Sequence, residues 1–144
     1  MSELTAEIRL ELRDLVERYA VCADARDRAG FGAVFAPDGC LVVPGGHRCE
    51  GREAIVANLD HLDAHYPKSM HFVGNHIVTL VDADLAEGTV YCLAHHVYET
   101  EGVGRDTLMM IRYYDRYRRR SGSWQIEERR LDIDWQEDRP LSVA

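Results

Sequence analysis

The first third of the chain carries apolar residues with the period of an α-helix. From Ile8 to Ala23 they recur at steps of three and four residues, with charged residues between them. This pattern predicts a long amphipathic helix that buries one face. Phe31 and Phe35, four residues apart, predict a short second helix that ends at a turn over residues 37–39.

The next segment combines one short strand with another helix. Residues 40–43 are apolar and predict the strand, which ends at Pro44 and the two glycines after it. Beyond Gly51 the apolar positions return to helical spacing until Pro67. The predicted order in this half of the chain is therefore helix, helix, strand, helix.

From Met70 onward the pattern changes to long strand-like runs separated by turn-forming residues. The predicted strands cover residues 70–80, 87–99, 106–119 and 124–135. In the last of them, Trp124 and Ile126 have the opposite parity from Ile133 and Trp135. This change of parity predicts a β-bulge or a bend between the two pairs.

Helices in the first half and an antiparallel meander in the second predict an α+β fold, with the helices packed on one face of the sheet. Strands of this length bend, so the concave face of the sheet and the helices would enclose a cavity. A chain of 144 residues fits one domain. We expect its core to run from about residue 8 to residue 135, and the polar tail after Asp138 to fray.

The composition argues against several classes of partner. With 25 acidic and 17 basic side chains the net charge is −8, which repels nucleic acid and anionic membrane surfaces. No run reaches the ~18 apolar residues of a membrane helix, and the charged N-terminal segment does not resemble a signal peptide. The four cysteines lack the spacing of a zinc site or a disulfide framework, which is typical of reduced thiols. The expected location is the cytoplasm.

Metal and cofactor motifs are weak in this chain. His61 and His65 have the spacing of two metal ligands on a helix. No third histidine or acidic ligand falls on their side of the predicted helix, so we interpret them as solvent-facing residues. The chain also has no glycine-rich phosphate loop and no nucleophile motif. We therefore expect neither a metal nor a cofactor.

Several segments, in order along the chain, resemble motifs of the SnoaL-like (NTF2-like) superfamily. They fall within residues 8–135 and read YAVCADARD (19–27), FAPDG (35–39), GREAI (51–55), MHFVGN (70–75), RYYDRY (112–117) and WQI (124–126), with an arginine pair at 129–130. The resemblance implies an NTF2-like cone of helices and curved sheet around a pocket. Such a pocket implies a hydrophobic small molecule as the partner.

Within the superfamily, the combination of Asp24 with His71 is similar to the His–Asp pair of scytalone dehydratase, bile acid 7α-dehydratase and hexachlorocyclohexane dehydrochlorinase. The resemblance implies a cofactor-independent lyase, a dehydratase or another β-elimination enzyme, acting on a cyclic or polycyclic compound. In such a reaction a neutral imidazole removes a proton and returns it to the leaving group. Asp24 would orient His71 and stabilise its protonated form.

The residues alone leave other interpretations open. Asp24 would face water if it belonged to the turn at Asp27, and a histidine in an apolar strand such as His71 is often a satisfied core residue. The same base would also serve an isomerase or a polyketide cyclase, because both reactions start with removal of a proton beside a carbonyl group. A non-catalytic ligand-binding or subunit-type domain is the alternative from another class.

Three further residues are candidate substrate contacts. Tyr19 lies near Asp24 on the first helix and would donate a hydrogen bond to a substrate carbonyl, although its place on the apolar stripe also fits a core residue. His95 and His96 lie on opposite faces of one strand, and the resemblance to scytalone dehydratase favours His95 as the inward one. Either Arg129 or Arg130 would point inward, about where the dehydrochlorinase carries a pocket arginine for its leaving anion, and the spacing from Trp124 favours Arg129.

Long antiparallel strands also present a sheet face that three helices cannot cover. Cys92, Tyr98 and Tyr114 are the residues that we expect on this outer face. Exposed apolar surface of this extent favours association between copies of a chain. We therefore expect a homodimer or a homotrimer.

Overall fold

The computed structural model describes residues 3–142, which form four helices and six strands. The helices are α1 (Ala6–Ala25), α2 (Arg28–Ala33), α3 (Gly51–Val56) and α4 (Asn58–His65). The strands are β1 (Phe35–Val42), β2 (Arg48–Glu50), β3 (Lys68–Asp82), β4 (Leu85–Thr100), β5 (Val103–Arg120) and β6 (Ser123–Pro140). The long first helix and the four long strands agree with the prediction.

Helix α1 forms where the apolar period predicts it, and local contacts define both of its ends. The side chain of Thr5 accepts a hydrogen bond from the Ile8 N–H at 3.2 Å and caps the first turn. At the other end Arg26 has a left-handed conformation with φ 55°, and its N–H donates to the Ala23 carbonyl at 3.1 Å. The buried face of the helix consists of Leu12, Val16, Tyr19, Ala20 and Ala23.

Three short elements differ from the prediction. Phe35 begins β1 instead of ending a helix, because β1 pairs in parallel with β6 and Phe35 lies opposite Ile126. β2 is a short strand that the pattern did not indicate, and it pairs with β1. The third predicted helix is divided into α3 and α4 at Ala57. The difference at Phe35 comes from pairing with β6, which is distant in sequence and which a local period does not contain, whereas β2 pairs with β1 across a short turn.

The strands form one mixed sheet in the order β2-β1-β6-β5-β4-β3, which stays open between residues 3 and 142. β1 and β6 run parallel, and the other neighbours are antiparallel. Strand β6 has an extra residue relative to β5 at Glu127 and another at Asp134. Such bulges bend a strand and increase its twist. The first is the bulge predicted from the change of parity, and the fold is the expected α+β class with a curved sheet.

The helices pack on the concave face of the sheet, and one hydrophobic cluster fills the space between them. Helix α1 contributes Leu12 and Val16, and β5 contributes Tyr113 and Tyr117, all of them buried. None of the helices in the described part of the chain combines the length and the apolar character that crossing a bilayer requires.

The end of β6 extends further than predicted. Arg139 and Pro140 pair with β5, and the Leu141 N–H donates to the Gly104 carbonyl at 2.8 Å. The expectation of a frayed tail is therefore wrong for residues 139–141, because backbone pairing with β5 holds them. The last two residues of that tail lie outside the described range.

The convex face of the sheet carries a row of large apolar side chains that crosses four strands. Phe72 of β3 lies opposite Leu93 of β4, Leu93 lies opposite Met110 of β5, and Met110 lies opposite Trp135 of β6. Phe72 and Trp135 are 66% and 58% exposed. We call these four side chains the outer row.

The outer face differs from the one that parity predicted. Cys92 points into the core, and Tyr98 packs edge-on against Tyr66 on the concave side, with ring centres 6.1 Å apart. Tyr114 does lie on the outer side, where Arg130 stacks on its ring at 4.4 Å. The prediction failed because both faces of β4 carry apolar residues, so alternation alone does not identify the core face.

Candidate active site

A cavity of about 240 Å³ lies between α1, α4 and the concave face of the sheet. Most of its lining is apolar, from Phe31 and Leu59 on the helical side to Ile111 and Ile133 on the sheet. The polar side chains that also line it are Tyr19, Asn58, His61, Tyr66, His71 and His96. An apolar wall with a few convergent polar groups is the usual form of a small-molecule site.

The structure brings Asp24 and His71 together at the edge of this cavity. The ring atom Nδ1 of His71 lies 2.7 Å from Asp24 Oδ1. The backbone N–H of His71 donates to Oδ2 of the same carboxylate at 2.8 Å, and the Ser69 hydroxyl donates to Oδ1 at 2.8 Å. Asp24 therefore holds both the ring and the backbone of His71.

These hydrogen bonds keep Asp24 ionised. Burial would raise the pKa of this carboxyl group, but the donors from His71 and Ser69 outweigh burial and lower the pKa below its ordinary value. Because a carboxylate only accepts hydrogen bonds, the proton between the two side chains is assigned to Nδ1 of His71. In the neutral ring with this tautomer, the lone pair lies on the other nitrogen, Nε2, and this is the form of imidazole that acts as a base.

The second histidine of the cavity is His96, and not His95 as predicted. The rings of His96 and His71 lie edge-on, with centres 5.3 Å apart. His95 lies on the opposite face of β4, where its Nδ1 is 2.6 Å from Asp106 Oδ2. Parity separates the two histidines correctly, but the choice of face is wrong. Ala94, on the same side of β4 as His96, is fully buried in the structure, which identifies that side as the inner face.

His96 presents a neutral ring to the cavity. Burial, together with the neighbouring His71, lowers the pKa of His96 to about 4. Its Nδ1 lies 3.3 Å from the Thr107 carbonyl, which only accepts hydrogen bonds. The single ring proton is therefore assigned to Nδ1, and Nε2 is the acceptor. His96 offers the cavity a hydrogen-bond acceptor rather than an acid.

Tyr19 lines the cavity from α1. Its ring belongs to an aromatic cluster, with centres 4.8 Å from that of Phe31 and 5.4 Å from that of Tyr113. Burial raises the pKa of the Tyr19 phenol to about 12. The phenol therefore keeps its proton at physiological pH and is available as a hydrogen-bond donor.

Arg129 points inward from β6 but does not line the cavity. Its Nε and Nη2 atoms bind the two oxygens of Asp115 at 2.7 and 2.6 Å, and both side chains are fully buried. The guanidinium lies between Tyr113 and Tyr19, 4.0 and 4.3 Å from their ring centres. Because Tyr19 lies between Arg129 and the cavity, the substrate contact expected from Arg129 is absent in this conformation.

Three further polar residues of the cavity, Asn58, His61 and Tyr66, come from the helical side. Tyr66, which follows the last residue of α4, has its ring 4.9 Å from that of His96. His61 is exposed, as interpreted from the sequence, but it also lines the cavity. In the sequence Tyr66 directly precedes Pro67, a position that predicts the end of a helix and does not indicate a pocket residue. Within residues 3–142, no three His, Cys, Asp or Glu side chains converge as metal ligands would.

The chain matches a known protein family. The profile of a family described as the SnoaL-like domain matches residues 4–130. No curated protein matches the chain in sequence.

Solved structures show how far the likeness in fold extends. A type 2 hexachlorocyclohexane dehydrochlorinase (LinA) has a TM-score of 0.83 at 21% identity, covering 94% of this chain and 90% of that chain. LinA-type3 from Novosphingobium barchaimii LL02 has a TM-score of 0.82 at 20% identity, covering 94% and 91%. A candidate scytalone dehydratase from Novosphingobium aromaticivorans has a TM-score of 0.81 at 21% identity, covering 96% and 91%. At these identities the likeness concerns the fold.

Proposed function

Because the chain belongs to the SnoaL-like domain family, we propose that it is a cofactor-independent lyase. In this proposal it removes water, or another leaving group, from a hydrophobic cyclic or polycyclic small molecule bound in the cavity. The observation that carries the proposal is the 2.7 Å contact between Asp24 and His71 at the cavity. The dehydrochlorinase and dehydratase names of the similar structures agree with it.

The proposed reaction uses the lone pair of His71 Nε2. This nitrogen removes a proton from the carbon next to a carbonyl group, and the C–H electron pair becomes the new C=C bond. A hydroxyl group on the neighbouring carbon leaves with its bonding pair, takes the proton back from Nε2, and departs as water. Asp24 stays ionised and stabilises the imidazolium that exists between the two proton transfers.

The other polar groups of the cavity would hold the substrate during this transfer. The Tyr19 O–H donates to the carbonyl oxygen as negative charge develops there. His96, as an acceptor, binds a substrate hydroxyl group. Arg129 acts on the site only through Tyr19, whose ring it supports from behind.

The lining favours an uncharged substrate. No arginine or lysine of the described chain is among the residues that line the cavity. A carboxylate or phosphate group would therefore lose its water without gaining a cationic partner. A neutral ring compound with a carbonyl and a hydroxyl group matches both the apolar wall and the few polar groups.

A panel of cyclic β-hydroxy ketones tests this proposal. We expect the wild-type protein to produce the conjugated enone from some members, detected by its ultraviolet absorbance and by loss of one water in mass spectrometry. His71→Ala should lack this activity, and a chelator should leave the wild-type rate unchanged. A product of unchanged mass would favour an isomerase or cyclase, and tight binding without turnover would favour a ligand-binding domain.

We also propose that a second copy of the chain covers the outer face of the sheet. The exposed side chains there are Met70, Phe72, Tyr91, Leu93 and Trp135. At about 200 Å² for a fully exposed large side chain, they present on the order of 500 Å² per copy. Two such faces would bury roughly 1,000 Å², which reaches the area that a specific interface requires.

The charges beside the outer row also suit a second copy. Arg112 stacks on Tyr91 at 4.9 Å and pairs with Asp134 at 3.0 Å, so opposite charges balance next to the row. Two chains that each carry a net charge of −8 repel each other least where such pairs occur.

The four cysteines are free thiols, as a reducing compartment maintains them, and we keep the cytoplasm as the proposed location.

A further inference from the structure

Arg26 has an unusual backbone conformation close to the Asp24–His71 pair. It follows α1 with φ 55° and ψ 32°, a left-handed conformation in which glycine is the preferred residue. A side chain in this region costs on the order of 1 kcal/mol. The turn is fixed by its neighbour Asp27, whose N–H donates to the Cys22 carbonyl at 2.9 Å and whose side chain caps α2. The contacts of the Arg26 side chain offset this cost.

The guanidinium of Arg26 joins three parts of the chain. Nη1 donates to the Ala23 carbonyl and to Ser69 Oγ, both at 2.8 Å, and Nη2 donates to the Tyr66 carbonyl at 2.6 Å. Asp63 of α4 lies 3.5 Å from Nε on the solvent side. One side chain thus connects the end of α1, the segment after α4 and the start of β3.

These contacts fix the direction of the Ser69 hydroxyl. Its oxygen accepts a hydrogen bond from Arg26, whose guanidinium only donates, so its own proton is available to Asp24 Oδ1 at 2.8 Å. The chain of hydrogen bonds runs from Arg26 through Ser69 and Asp24 to the ring of His71. A cation at its far end polarises the hydroxyl group in the same direction.

The same guanidinium also fixes one wall of the cavity. By holding the Tyr66 carbonyl, it sets the place where the chain leaves α4. The Tyr66 ring lies against His96 in the cavity. One rigid guanidinium therefore helps to position both His71 and His96. A lysine would not reproduce this arrangement, because it lacks the planar pair of donors.

We propose that Arg26 is a positioning residue, which through Ser69 holds Asp24 in the orientation that fixes the proton on Nδ1 of His71. In this proposal Arg26 touches neither the cavity nor a substrate. It acts on His71 indirectly, through Ser69 and Asp24. The inference rests on the proposed function only in calling His71 a base. The geometry that it explains exists without substrate.

The test is the Nδ1-bound proton of His71 in protein labelled with ¹⁵N-histidine. We expect a downfield proton resonance, assigned by its absence in His71→Gln, that exchanges slowly with water. In Arg26→Gly and in Ser69→Ala it should move upfield, and its exchange should accelerate about tenfold, as for loss of one charge-assisted hydrogen bond. Glycine suits φ 55° without strain, so Arg26→Gly is the substitution most compatible with the fold.

The matched control is Arg28→Ala, which removes a surface ion pair between the first residue of α2 and Asp60 of α4. It should leave the His71 resonance unchanged. An unchanged resonance in a folded Arg26→Gly variant, or in Ser69→Ala if that arginine variant does not fold, would overturn the proposal. Because the measurement needs no substrate, its failure is separate from a failure to find turnover.

Discussion

The guanidinium carbon of Arg129 lies 4.3 Å from the centre of the Tyr19 ring, so a buried cation supports the cavity wall from behind. Burial alone would lower the pKa of Arg129, but the charge and hydrogen bonds of Asp115 outweigh burial and raise it. The Tyr117 O–H donates to the same carboxylate at 2.7 Å. A buried polar network inside an aromatic cluster therefore lies behind the Tyr19 wall of the cavity.

Breaking this pair should be costly to the fold. We expect Arg129→Met to lower the free energy of unfolding by about 3–5 kcal/mol, because Asp115 is left buried without its partner. Urea denaturation measures this difference. Arg130→Met, at the exposed position next to it, is the matched control and should change stability by less than about 1 kcal/mol. Equal effects of the two substitutions would contradict the role of the buried pair.

The proposed base and its orienting carboxylate give a graded kinetic prediction. His71→Ala should lose measurable turnover of any substrate that the wild type converts. Asp24→Asn keeps the shape of the side chain but not its charge, so it should reduce kcat by roughly two to four orders of magnitude. Circular dichroism should show that both variants are folded. Full activity in His71→Ala would contradict the proposed elimination mechanism.

The regular elements of this fold could be predicted from the sequence because their causes are local. The three- and four-residue period from Ile8 to Ala23 belongs to the helix that buries those positions. The change of parity after Ile126 reports an extra residue in one strand, and the bulge lies at Glu127. Residues 40–42 of β1 belong to the predicted strand, but its first part from Phe35 could not be predicted in the same way, since the partner of Phe35, Ile126, is distant in sequence.

The candidate site could be predicted only in part. The resemblance to the superfamily predicts the pairing of Asp24 with His71, and the structure places the two side chains in hydrogen-bond contact. The choice between His95 and His96 depended on which face of β4 is covered by helices, and apolar residues on both faces conceal this. The position of Tyr19 over Arg129 depends on packing in three dimensions. Neither the parity of a strand nor the family resemblance predicts such packing.

The outer row gives a prediction about assembly. Leu93→Lys places a charge in the middle of the row, where a second copy would have to bury it. We expect the wild type to elute as a dimer or trimer at micromolar concentration and Leu93→Lys as a monomer, measured by size-exclusion chromatography with light scattering. Val21→Lys, at a 66% exposed position of α1, is the matched control and should keep the wild-type mass. A monomeric wild type would reject the interface.

Two half-buried or buried histidines should make the fold sensitive to mild acid. Burial is the main reason that the pKa values of His76 and His96 fall to about 4. In the unfolded chain both rings titrate near 6.5. Between these two values the unfolded chain binds protons that the folded chain excludes, so the free energy of unfolding should decrease as the pH falls from about 6.5 to about 4. Asp24, whose pKa is lowered, adds a further loss only below its ordinary value of 3.8.

His76→Gln separates this effect from general acid sensitivity. Nε2 of His76 lies 3.0 Å from the Tyr117 hydroxyl, and a glutamine amide can replace that hydrogen bond without taking up a proton. Urea midpoints measured at intervals from pH 7 to pH 4 should therefore fall less steeply in this variant than in the wild type. His47→Gln changes an exposed histidine in the turn before β2 and should keep the wild-type slope. A wild-type slope in His76→Gln as well would mean that protonation of this buried ring does not contribute to acid unfolding.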